Sequence, residues 1–148
     1  LVDTRRLPYR TETGLSTVAY RIDDHETVAG DTLHLDVWWQ TARTLNDNLR
    51  TQIVLRNVEQ SQTIVTSALR HPAHYPTQRW ERARNVIDTY VLAIPDDLVP
   101  GRYTLNLRLL RCTDGCASTQ TLTFFDRTGR DIGTQLTIPQ IITIRERP

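Results

Sequence analysis

His71 and His74 stand in an HxxH spacing, which lets two imidazoles share a metal ion when one helix face presents both. Pro72 lies between them and argues for a loop, so a zinc-protease arrangement is not expected. Asp23, Asp24, His25 and Glu26 offer the hard oxygen ligands that calcium takes, but not the alternating ligands and glycine of a calcium loop. They read as a solvated acidic turn. Asp96 and Asp97 are two carboxylates side by side, whereas glycoside hydrolysis needs its acids across a cleft from one another. No serine, Ser16, Ser61 and Ser67 included, sits in the GxSxG setting that activates a hydroxyl. The residue types point to no catalytic centre, no metal site and no cofactor.

Cys112 and Cys116 bracket the turn-forming Asp114 and Gly115 in CTDGC. They could clip a hairpin, which would indicate an oxidising compartment. Two free thiols, or half of a zinc site, are the alternatives. A zinc site lacks a second cysteine pair, and a redox role lacks the CxxC spacing.

The elements that position these side chains are strands. No useful stretch repeats apolar residues at i, i+3, i+4 and i+7, while alternation with period two recurs along the chain. In Thr32 to Gln40, Leu33, Leu35, Val37 and Trp39 point one way and His34, Asp36, Trp38 and Gln40 the other. Arg102 to Arg111 repeats the pattern, with Tyr103, Leu105, Leu107 and Leu109 inward and Thr104, Asn106 and Arg108 outward. Further strands are predicted at Ser16 to Ile22, Leu49 to Arg56, Thr63 to Leu69, Val86 to Ile94, Thr119 to Phe125 and Gln135 to Ile144. Pro139 places a bulge or an edge in the last of these. Turn signals separate the strands at Ala29 to Asp31, Leu45 to Asn48, Pro95 to Gly101 and Asp126 to Gly129. The expected class is all-β: a two-sheet antiparallel sandwich, immunoglobulin- or fibronectin-like, of about eight strands. The long irregular segment from Arg70 to Asn85 carries Tyr75 and Trp80, which are expected to plug an open end of the sandwich.

Length and composition agree with a chain that folds. The 148 residues, 39% hydrophobic and 24% charged, suit one domain over 1–148 without a metal or a dense disulfide framework. Eighteen cationic residues, all Arg, against seventeen acidic ones leave +1, and the arginines are scattered along the sequence, so nucleic acid is not an expected partner. Lys and Met are both absent, which suits a GC-rich coding background or a protein trimmed of labile residues. The missing initiator Met suggests a fragment of a longer chain or a processed product, and no apolar run approaches the roughly 20 residues that span a bilayer.

The strings GDTLHLDVWWQ, HYPTQRW and VIDTYVLAIPDDLVPGRYTLNLRL carry a resemblance. They resemble the β-sandwich domains appended to bacterial polytopic membrane proteins of the glycosyltransferase type that uses lipid-linked sugars. Gly30, Asp31, Leu33, Trp39, Tyr75, Pro76, Thr77, Trp80, Val86, Asp88, Tyr90, Pro95, Pro100, Gly101 and Tyr103 fall on that pattern, and the likeness runs from about Val28 to Ile144. Cys112 and Cys116 stand where that family usually has a longer variable turn, and Arg82 and Ala83 where a glycine is common. The resemblance implies an extracytoplasmic accessory domain tethered to the cytoplasmic membrane through segments outside this chain. Transferase chemistry would belong to the membrane portion, and the partner would be the remainder of the same protein.

Several residues read as architecture. Pro100 and Gly101 suit a tight turn into a strand, Tyr103 fits a tyrosine-corner role with its hydroxyl on a nearby carbonyl, and Trp39 belongs to the core. Trp38 is the candidate contact residue because it faces away from Trp39. An exposed Trp38 beside His34 or Arg108 would favour a cell-envelope glycan or another envelope protein as ligand, and a buried one a scaffold. The expected function is a noncatalytic structural or protein-interaction domain, with a carbohydrate-binding module as the alternative.

Overall fold

The computed structural model describes residues 4–62, 64–67, 69, 77 and 85–148. Twelve strands form in place of the eight expected: β1 (Arg5–Thr11), β2 (Leu15–Ile22), β3 (Glu26–Val28), β4 (Thr32–Thr41), β5 (Leu49–Asn57), β6 (Ile64–Thr66), β7 (Asn85–Ala93), β8 (Gly101–Thr113), β9 (Ser118–Thr121), β10 (Phe124–Phe125), β11 (Asp131–Gly133) and β12 (Leu136–Arg145). Sheet A has the order β11-β10-β1-β2-β4-β7, and sheet B the order β3-β12-β8-β5-β6, with β9 paired to the far end of β8. The expected two-sheet sandwich is what forms. It is not wholly antiparallel, because β3 runs parallel to β12.

Alternation decides which side chains meet. Leu33, Leu35, Val37 and Trp39 of β4 face Ile53 and Leu55 of β5 and Tyr103, Leu105, Leu107 and Leu109 of β8 across one apolar core. Burying each such side chain contributes about 1.5–3 kcal/mol against leaving it in water. Bulges keep the alternation in phase. Around Pro139, the four steps from Thr137 to Ile141 oppose only two in β8, from Asn106 to Thr104. That even excess leaves Leu136, Ile138, Ile142 and Ile144 all inward, and it places the proline where no ladder donor is needed.

Three strands were not expected, and one expected strand divides. β1 holds Pro8, which breaks the ladder at a bulge between Arg6 and Tyr9. β3 and β11 have three residues each, too short to show a period. The stretch Thr119 to Phe125 splits into β9 in sheet B and β10 in sheet A, so the chain changes sheets near Leu122.

Candidate functional site

Register builds a flat outer face on sheet A. Trp38 sits opposite Ala19 of β2 and Ile87 of β7, His34 opposite Val91, and Asp36 between Arg21 and Thr89. Cross-strand partners share a face, so these side chains form rows across three strands. Ile87 and Val91 are 53% and 59% exposed, and Trp38 is half-buried. The Arg21 guanidinium lies 5.5 Å from the Trp38 ring centre as a cation–π contact. Its Nε and Nη2 donate to Asp36 Oδ2 at 3.0 and 2.5 Å, and Thr89 donates to Asp36 Oδ1 at 2.6 Å. Asp36 therefore holds Arg21 over the indole.

Among the residues expected at a site, His34 shares this face and its Nδ1 lies 3.3 Å from Asp23. Arg108 does not share it. Its guanidinium is on the outer face of sheet B, donating to Gln52 Oε1 at 2.7 Å and Thr121 Oγ1 at 3.1 Å, so Trp38 and Arg108 cannot act on one ligand. Tyr75 and Trp80, like His71, His74, Pro76, Arg82 and Ala83, lie outside the described residues. Thr77, from the same segment, is buried, donating to Asp47 O at 2.8 Å and accepting from Leu49 N.

The architectural assignments have clear placements. Trp39 is fully buried, and its indole N–H has no acceptor among the described residues. Tyr103 is fully buried and donates its hydroxyl to Val99 O at 2.5 Å, beside Pro100 and Gly101 at the entry to β8. Gly101 has φ +151°. Cys112 and Cys116 are bridged with Cα atoms 4.4 Å apart, and Asp114, Gly115 and Cys116 all take positive φ in the β8–β9 turn. Among the described residues no His, Cys, Asp and Glu side chains group in threes to hold a metal ion.

One feature was missed from sequence. A groove of about 380 Å³ opens beside the β1 bulge, lined by Pro8, Tyr9, Arg10, Ser16, Asp126 and Arg127. It continues into a space of about 290 Å³ that reaches Thr128. The Asp126 turn was legible, since its carboxylate Oδ1 accepts from Thr128 Oγ1 at 2.6 Å, Thr128 N at 2.9 Å and Arg130 N at 3.0 Å. The Thr128 hydroxyl, followed by the Arg130 amide, holds the Asp126 carboxyl below its ordinary value of 3.8. What hid the groove was β1: with Pro8 unread as a bulge, nothing placed Tyr9 and Arg10 against a turn more than a hundred residues away.

These features define the class as a β-sandwich. The crystal structure of the C-terminal domain of Wzt is similar, with a TM-score of 0.59 at 10% identity, covering 95% of this chain and 78% of that one. The likeness is one of fold. No family model matches the sequence, and no curated protein does. The comparisons lend no support to the glycosyltransferase parent that the sequence resemblance implies.

Proposed function

We propose that the chain is a noncatalytic accessory domain, placed outside the cytoplasm, that works by docking the outer face of sheet A onto protein. The partner is the remainder of its own membrane protein or another envelope protein. What carries the reading is the row Ala19, Trp38 and Ile87 with Val91 beside it: apolar side chains on neighbouring strands, turned away from the core. Half-buried aromatics with apolar neighbours are what protein contacts favour at their centres. The Cys112–Cys116 bridge supports an oxidising setting.

Glycan stacking on Trp38 is the weaker reading of this face. A sugar needs an open ring face and gains from a second aromatic, whereas Arg21 takes one side of the indole and the cross-strand neighbours are Ala19 and Ile87. The test is photocrosslinking in the native cell from a reactive residue at position 87, with position 64 on sheet B as the control. Protein adducts from position 87 alone are expected. Equal adducts from both positions, or none from 87, would reject the docking face, and saturable quenching of Trp38 by neutral cell-wall sugars would replace it with the glycan reading.

A further inference from the structure

The arginines look scattered in sequence, but the fold does not leave them so. The guanidinium groups of Arg21, Arg43, Arg50, Arg56, Arg108, Arg111, Arg145 and Arg147 all have partners, backbone carbonyls in the case of Arg43 and Arg56. Among the described residues, the guanidinium groups of Arg5, Arg6, Arg10, Arg102, Arg127 and Arg130 have no hydrogen bond or ion pair, and all but Arg102, in β8, belong to β1 or the turn after β10. Two of them, Arg10 and Arg127, line the groove at the β1 bulge.

The groove carries a third charge. Asp126 spends Oδ1 on its own turn, and among the described residues Oδ2 takes no bond, so a fixed, ionised acceptor stands beside the two cations. Half-buried Tyr9 and Pro8 supply apolar surface, and Ser16 and Thr128 supply hydroxyls. Each ligand class can be weighed against this set. A bare anion meets the arginines but is repelled by Asp126 and leaves the apolar wall unused. A neutral sugar offers hydroxyl donors to Asp126 but leaves two cations without a counter-charge. A ligand with an anionic group and hydroxyl donors on one compact ring satisfies all of them.

We infer that this groove binds an acidic sugar, a glycan unit bearing a carboxylate or a phosphate, with Arg10 and Arg127 on the anionic group and Asp126 accepting from ring hydroxyls. The two arginines stand on β1 and on the turn after β10, with β2 between them and the Trp38 strand, and the residues that line the groove do not include Trp38, Ile87 or Val91, so this site stands or falls apart from the docking face.

The test is calorimetric titration of the chain with a panel of oligouronates and sugar 6-phosphates, beside neutral oligosaccharides of matching linkage, inorganic phosphate and an acidic hexapeptide. At least one acidic sugar is expected to saturate the site and to bind at least tenfold more tightly than its neutral counterpart. Arg10→Gln with Arg127→Gln should weaken it at least tenfold with the thermal midpoint unchanged. Silence across the acidic panel, equal binding of acidic and neutral sugars, or unchanged binding by the double variant overturns the inference. Binding by phosphate alone or by the peptide at comparable strength also overturns it, since charge would then be the whole of the recognition. If the double variant unfolds, Arg127→Gln alone, on an exposed turn, carries the same comparison.

Discussion

Tyr103→Phe isolates one hydrogen bond in the corner that starts β8. Tyr103 is fully buried, and its hydroxyl donates to Val99 O at 2.5 Å. The phenyl ring of the variant fills the same space, so no cavity forms and the packing of β8 on the core is kept. What is lost is the net worth of one bond, about 1 kcal/mol and up to 1.5. The lower part of that range is expected, because Val99 is 44% exposed and water can reach its carbonyl in the variant. A domain of this length shifts by about 3 °C per kcal/mol, so the thermal midpoint should fall by about 3–5 °C. Tyr103→Ala removes the ring as well and should cost about 3–5 kcal/mol. Urea unfolding followed by circular dichroism reads both, with the slope unchanged for Tyr103→Phe if only the folded state is affected. A Phe variant as stable as the parent would show that the hydroxyl contributes nothing. One as unstable as the Ala variant would show that the ring does not hold its place without it.

Three further outcomes follow from the geometry. Replacing both Cys112 and Cys116 with Ser should cost at most about 2 kcal/mol, the loop entropy of so short a ring, because releasing Asp114 and Cys116 from positive φ offsets part of it; a loss of twice that in urea unfolding would contradict the local role. Gly30→Ala should cost about 1–2 kcal/mol, since φ is +91° there and the side chains its new Cβ meets, Asp96 and Arg147, are exposed and can move; an unchanged midpoint would contradict this. The Asp126 carboxyl should titrate below 3.8 by carbon NMR, so its hold on the Thr128 and Arg130 amides is intact above that pH and lost as pH falls through the lowered value; amide exchange there should quicken only in that acid range.

Much of the sandwich could be read from alternation alone. The inward and outward sets of β4 fall where period two puts them, and Pro139 does sit in a bulge. Short strands escaped because three residues carry no period, and β1 escaped because a proline that signals a break also serves at a bulge. The Trp38 face was half legible: its direction follows from Trp39, but its neighbours Arg21 and Ile87 depend on register, which Val18 shifts by an extra residue in β2. That His34 and not Arg108 shares the face of Trp38 could not be read, since alternation says which way a side chain points from its own strand and not which sheet holds that strand.

The parallel β3–β12 pair sets an order of events for the folding chain. Glu26–Val28 finds its partner only at Thr143–Arg145, with Thr143 N on His25 O and Ala29 N on Arg145 O as the outer fastenings. During synthesis the early segment has to wait, unzipped, until more than a hundred later residues have left the ribosome, and such distant pairings form slowly. Peeling β12 away would undo the earliest residues of sheet B along with its latest, because among the described residues β3 has β12 as its one neighbour in that sheet.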